Sequence, residues 1–236
     1  MNRQGNVYTL IYSIVLVAIV GIVLSLVYQA LRPSQEENIA NDTKRQILAA
    51  ARIMPKEGES ISELYSKYIT DSYIVNYEGD KIDSRQEAFA VNVGNQVKLE
   101  PQERELPVFV CKTDDGTKYI LPVYGAGLWG PIWGYIAFDD NGDTIYGAYF
   151  AHQGETPGLG AEIEKPAFSD QFEGKNIFNA DGQFAGIAVL KAGQKATGMD
   201  AVDAISGGTI TSQGVQKMLS NSLEPYSNFL KKLQKP

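Results

Sequence analysis

The chain has 236 residues, 44% of them apolar, with 28 acidic against 21 basic side chains and a formal net charge of −7. That length suffices for one large or two small domains with real cores. The acidic balance excludes a nucleic-acid or anionic-lipid binder, which needs the opposite sign, and the lone cysteine, Cys111, excludes an internal disulfide and an all-cysteine metal site.

The first element is an apolar run. No charged residue lies between Arg3 and Arg32, and residues 7–30 are almost wholly apolar. About 20 such residues span the hydrocarbon of a bilayer, so a transmembrane helix is expected. A cleaved signal peptide has an apolar region of about 7–15 residues and a small-x-small cleavage site, a pattern that Tyr28-Gln29-Ala30-Leu31 lacks. Tyr8, Tyr12 and Tyr28 stand near the ends of the run, where amphipathic rings prefer the interface. The flanking charges leave its orientation open.

Residues 36–54 have a helical stripe of Ile39, Ala40, Ile47, Leu48, Ala51 and Ile53, with Pro55 as the stop. Ser60-Ile61-Ser62-Glu63 has the form of a capping box before a short amphipathic helix carrying Ile61, Leu64, Tyr65, Tyr68 and Ile69. From Tyr73 the pattern changes to short strands, over 73–77, 88–93, 107–111 and 118–124, with bends at Glu78-Gly79-Asp80 and Asp114-Asp115-Gly116. The clearest hairpin joins 133–138 to 144–150 around Asn141-Gly142. Asp139, Asp140, Asn141 and Asp143 have spacing that suits a calcium loop, yet Phe150 stands where the closing glutamate belongs, which favours a plain turn. Cys111, beside Val108, Phe109 and Val110, reads as a buried, inert thiol on a strand.

Residues 166–174 follow as a short helix with Phe168 and Phe172, then a second hairpin, 177–178 with 184–190, turning at Asp181-Gly182. A helix-like run beginning at Ser212 buries Val215, Met218, Leu219 and Leu223; Pro225 interrupts it, and Tyr226, Phe229, Leu230 and Leu233 line another. The expected fold class is α+β, an antiparallel sheet with flanking helices behind one N-terminal membrane helix. The expected division is an anchor over 1–32, a helical connector over 33–72 and a folded domain over 73–236.

Three glycine-dense segments carry the chemistry: 125–134, 152–160 and 206–211. Backbones that approach a flat aromatic ligand closely use glycine, since a Cβ would collide with it. Ser206-Gly207-Gly208-Thr209-Ile210-Thr211 adds hydroxyls where the chain enters a helix, a favourable place for a phosphate. The bland alternative is an N-capping loop. His152 is the only histidine, so no histidine-rich zinc site is expected, and no nucleophile–base pair or triad is evident. Trp129 and Trp133 offer rings for stacking but serve equally as core anchors or as contacts between subunits.

The pattern Asp203-x-x-Ser206-Gly207-Gly208-Thr209-x-Thr211 resembles the flavinylation motif of membrane-anchored FMN-binding domains. Glu155-Thr156-Pro157-Gly158-Leu159-Gly160 resembles their second motif, and Gly127-Leu128-Trp129 running into 135–138 is similar to the NqrC family of Na⁺-translocating NADH:quinone reductases. The resemblance covers most of the chain; Gly208 departs from the alanine common there. It implies FMN joined by a phosphoester to Thr211, with Asp203, Ser206, Gly207, Gly208 and Thr209 forming the recognised loop. Glu155, Thr156, Pro157, Gly158, Leu159 and Gly160 would face the flavin ring. It further implies a one-electron relay in a sodium pump whose other subunits supply the NADH, quinone and sodium sites, so that this chain alone acts on neither substrate. A flavin transferase would mature it, and the soluble domain would lie on the periplasmic side of a bacterial inner membrane. The G subunit of an Rnf-type complex carries the same motif and is the nearest alternative; a cofactor-free anchored module is the other. The tryptophan-containing segment favours the NqrC family.

Overall fold

The computed structural model describes residues 5–234. The chain divides into two compact units, Met1–Thr43 and Lys44–Pro236. Helix α1 (Asn6–Ala50) contains the apolar run and is long and apolar enough to cross a membrane. Its aliphatic side chains there are exposed, Leu24 at 63%, a surface that hydrocarbon rather than water accommodates. The helix expected over 36–54 is part of α1 and stops at Ala50, ahead of Pro55. Arg52, left-handed at φ 62°, ends it: its N–H reaches Ala49 O at 2.9 Å and Ile53 N–H reaches Leu48 O at 3.0 Å, a Schellman closure without glycine.

In the second unit, α2 (Ile61–Tyr68) starts at Ser60, whose Oγ accepts from Glu63 N–H. The sheet comprises β1 (Ile69–Val75), β2 (Lys81–Ile82), β3 (Leu106–Thr113), β4 (Gly116–Ala126), β5 (Pro131–Phe138) and β6 (Ile145–His152). It is antiparallel, in the order β2-β1-β3-β4-β5-β6. The period-two alternation buries both faces. Phe109, Ile120 and Ala137, paired across β3, β4 and β5, join Ile47, Ala50 and Cys111 on one side. Val108, Leu121 and Ile136 face the other core with Phe150, Phe168, Phe172, Met218 and Leu219. Burial pushes the Cys111 thiol up to about 11, so it is a packing residue, as its neighbours suggest.

Two local expectations change. Residues 88–93 form no strand: a 3-10 turn (Ala88–Ala90) leads to α3 (Val93–Gln96), because the Asn92 side chain accepts Asn95 N–H at 3.0 Å and starts a helix. A short apolar run fits either state, and the cap decides it. The second hairpin is confined to the bridge Phe178↔Phe184. Gly186, at φ 71°, turns the chain away, and β7 (Ile187–Leu190) pairs in parallel with an unexpected strand, β8 (Asp200–Asp203). Helix α4 (Pro166–Ser169) and a following 3-10 turn set Phe168 and Phe172 against Phe150, with ring centroids 5.6 and 5.0 Å away.

Helix α5 (Thr209–Leu223) closes the second core, and α6 (Ser227–Leu233) follows after Pro225. Ser222 Oγ accepts from Tyr124 N–H at 3.1 Å, and Tyr226 OH donates to Pro107 O at 2.8 Å, fixing α5 and its end to β4 and β3. The start of α5 is thereby set beside the end of β4, with Gly214 against Ala126 O.

Candidate functional site

Three chain segments meet at the start of α5. The first leaves β8 at Asp203 and enters α5 at Thr209, three residues before the expected Ser212. Gly207, at φ 74°, makes the turn, and Gly208 precedes the helix without a side-chain cap. Closure comes from within the helix: Ser212 Oγ accepts Ile205 N–H at 3.0 Å, and Ser212 N–H returns to Gly208 O at 2.9 Å. Ser206 and Thr209 are left exposed, and Thr211 is only 2% exposed.

The second segment follows β6. His152 Nδ1 accepts Glu155 N–H at 3.1 Å, which fixes the start of the turn, and Thr156 O accepts from Leu159 and Ala161 N–H at 3.1 Å each. Glu155 is turned inward and is 4% exposed. Its Oε2 accepts the Thr211 hydroxyl at 2.5 Å, and its Oε1 accepts Trp129 N–H at 2.8 Å. Trp129 belongs to the third segment, the β4–β5 connection, closed by Gly127 N–H to Gly130 O at 2.8 Å.

The close approach rests on glycine. A Cβ at Gly160 would overlap both Thr211 Oγ1 and Glu155 Oε2, and one at Gly127 would lie 2.5 Å from Glu155 Oε1. Among the described residues, no lysine, arginine or histidine forms an ion pair with Glu155. Its carboxylate is held by a backbone N–H, a hydroxyl and its place beside the first turn of α5, whose end carries partial positive charge.

The site residues expected from sequence separate into two groups. Thr211, Glu155 and Gly160 come together, with Leu159 against Gly207 and Gly160 beside Gly208. Thr156, Pro157, Gly158 and Leu159 form the exposed part of their turn, and Asp203 is exposed at the end of β8, its N–H donating to Gln171 Oε1 at 2.8 Å. Ser206, Gly207 and Thr209 line a cleft of about 490 Å³ with Val189, Leu190 and Ile205. That cleft includes neither Thr211 nor any residue of 155–160, so the hydroxyl lies behind the loop wall rather than in the open space.

Trp129 is 69% exposed, and Leu128, Leu159 and Ile210 are 48%, 43% and 55% exposed. Trp133 takes another course, its Nε1 donating to Gln46 Oε1 at 3.0 Å. His152 Nε2 lies 3.6 Å from Glu164 Oε2 and makes no hydrogen bond. The Asp139–Asp143 turn is occupied by the fold: Asp143 Oδ1 accepts from Ile177 and Phe178 N–H, and Asp139 pairs with Lys118. The roles of Trp129 N–H and His152 Nδ1 are not legible in the sequence; the only sign is a lone histidine three residues before a glutamate. A buried hydroxyl at a helix start beside a glycine cradle fits a phosphate-bearing cofactor.

The FMN-binding domain family matches residues 127–224, a span that includes the Trp129, Glu155 and Thr211 cluster. The C subunit of the Na(+)-translocating NADH-quinone reductase of Vibrio anguillarum is 34% identical over 230 residues, covering 91% of this chain and 89% of that protein. Its counterpart in Neisseria meningitidis serogroup B is 31% identical over 246 residues, covering 94% and 93%. The crystal structure of the same reductase's C subunit from Parabacteroides distasonis is 48% identical with a TM-score of 0.78, covering 85% of this chain and 96% of that one. Shewanella oneidensis NqrC is 26% identical with a TM-score of 0.69, covering 84% and 98%. An apolar N-terminal helix, an antiparallel sheet with flanking helices, and this likeness along nearly the whole chain place the protein in the NqrC family, the C subunits of Na⁺-translocating NADH-quinone reductases.

Proposed function

We propose that this chain is the membrane-anchored, FMN-carrying subunit of a sodium-pumping NADH:quinone oxidoreductase, relaying electrons among the other subunits of that complex. The observation that carries this reading is the buried Thr211–Glu155 pair, 2.5 Å apart, inside the segment matched by the FMN-binding domain. Its working division is an anchor over 1–32, a helical connector over 33–72 and the FMN-binding part over 73–236. The soluble part lies on the periplasmic side, where attached flavin cannot be lost to a compartment that lacks a supply of it.

Bound FMN supplies the electron-transfer chemistry. Thr211 holds its phosphate by a phosphoester, and the first turn of α5 favours the negative charge that remains there. Ser206 and Thr209 offer hydroxyl donors on the exposed side of the same loop, while Gly207 and Gly208 keep that loop free of side chains. Asp203 belongs to the surface that a flavin transferase recognises, supported by its exposure at the end of β8. Thr156, Pro157, Gly158 and Leu159 flank the ring, and Glu155 and Gly160 set the distance between their turn and Thr211. The exposed Leu128 and Trp129 give the partner subunits an apolar surface beside the flavin. No NADH, quinone or sodium chemistry is assigned to this chain.

The relay is tested by comparing membranes that contain the whole complex with the parent chain or with Thr211→Ala. NADH-driven quinone reduction is expected to be lost in the variant while the subunits remain assembled. Parental turnover in a Thr211→Ala complex would contradict the relay.

A further inference from the structure

We propose that Glu155 is the proton acceptor for the Thr211 hydroxyl when the flavin is attached, so that the modified chain supplies its own base rather than relying wholly on the transferase. The proposal rests on Thr211 being the attachment point. A threonine hydroxyl is a weak nucleophile and needs a base within hydrogen-bond reach. Glu155 Oε2 stands 2.5 Å from Thr211 Oγ1 and receives its proton in a hydrogen bond already.

The other oxygen is committed elsewhere. Trp129 N–H holds Oε1 at 2.8 Å, so the carboxylate cannot swing away from the hydroxyl without breaking that bond, and His152 Nδ1 accepts the Glu155 backbone N–H at 3.1 Å, which fixes the backbone from which the side chain projects. Neighbouring candidates are engaged or turned outward. His152 Nδ1 is used by Glu155 itself, Glu162 Oε1 accepts Gly158 N–H at 3.1 Å, and Asp203 is exposed at the end of β8. The adjacent Ser212 hydroxyl contrasts with Thr211: it accepts a backbone N–H and sits on no carboxylate. A neutral acceptor would satisfy Thr211 and Trp129 without burying a charge, which makes the carboxylate costly for a purely structural task.

In the step itself, Thr211 Oγ1 attacks the flavin-side phosphorus of a flavin dinucleotide, a pyrophosphate presented by the transferase. One Oγ1–P bond forms and the P–O bond to the nucleoside monophosphate breaks, the leaving group taking the electron pair. The hydroxyl proton passes to Glu155 Oε2. Nothing is oxidised or reduced. A pyrophosphate donor is required because direct displacement on FMN would have to expel hydroxide.

The test uses the full chain in detergent with a flavin transferase and flavin adenine dinucleotide, and reads the adduct by intact mass against time and chain concentration. Glu155→Gln should lower kcat for attachment about 100-fold, the scale of a lost general base, with KM for the chain within about threefold of the parent. Glu155→Asp, which keeps the charge but draws it back by one methylene, should fall between the two. A parental kcat in Glu155→Gln, or a loss confined to KM, would overturn the proposal and leave the attachment site standing. Should Glu155→Gln fail to fold, a rate within twofold of the parent in Glu155→Asp overturns it instead. A parent chain that gains no adduct at all refutes the attachment reading itself, a result distinct from either.

Discussion

Two acid-and-glycine turns, 139–144 and 155–160, look alike in sequence and differ in what holds their carboxylates. In the first, Asp143 Oδ1 accepts Ile177 and Phe178 N–H at 2.9 Å each, Asn141 Oδ1 accepts Asp143 and Thr144 N–H at 3.0 Å, and Asp139 pairs with the buried Lys118 at 2.6 Å. Those acceptors tie a hairpin to the segment beside it. In the second, Glu155 is more enclosed, at 4% exposure, yet has no basic partner among the described residues, and one of its two oxygens is spent on a hydroxyl. The acids that close the fold spend their oxygens on a cation or on backbone donors, whereas Glu155 shares its oxygens between one backbone donor and a hydroxyl. The two turns therefore predict different phenotypes for equally small substitutions.

The largest loss of stability is expected at Gly142. It has φ 65°, and a Cβ there would overlap the Leu230 carbonyl oxygen, which cannot move without shifting α6. Gly142→Ala should cost about 3 kcal/mol, measured as a lowered urea midpoint, with flavin attachment intact in whatever fraction folds. Asp143→Ala leaves Phe178 N–H without its acceptor and Ile177 N–H with only the long bond to Asp143 O at 3.4 Å, and should cost about 2 kcal/mol by the same measurement. Gly160→Ala reverses the balance. Its Cβ meets the Glu155 and Thr211 side chains rather than backbone, so a smaller loss, about 1 kcal/mol, is expected. Because it parts Thr211 from Glu155, its attachment rate should fall about 10- to 100-fold. Equal losses of stability and of attachment across all three variants would erase the distinction.

The smallest effect is a matter of pH. Arg52 donates to Glu173 Oε1 at 2.5 Å, and that bond, ahead of the opposing desolvation and of the charge itself, holds the Glu173 carboxyl below its ordinary value. The folded value lies below the unfolded one, so the stabilisation is present above the ordinary carboxylate range and is lost as pH falls through the folded value. Both groups are substantially exposed, at 37% and 55%, which limits the effect to about 0.5 kcal/mol in low salt. Glu173→Gln should remove that part of the difference between urea midpoints at neutral and acid pH, and added salt should shrink it in the parent.

Where sequence and structure agree, the cause is local. The long apolar helix follows from length and hydropathy, and the Asn141-Gly142 hairpin from one dipeptide, because neither depends on a distant partner. The end of α1 escapes the sequence because Arg52, not a glycine, takes the left-handed position, and nothing in the residue type announces it. Strand β8 escapes it because four residues with polar ends acquire their pairing only from β7. The site shows the same limit. Thr211 and the 155–160 turn can be named from resemblance, but the contact between them spans 56 residues of chain, and the Trp129 N–H that completes it belongs to the backbone.

The central claim is that Thr211 carries the flavin, and intact mass tests it most directly. The full-length chain, coexpressed with a flavin transferase, should gain the mass of one phosphoester-linked FMN, located by peptide mapping to Thr211 and absent from Thr211→Ala. An unmodified parent, or an adduct that persists in Thr211→Ala, would contradict the account.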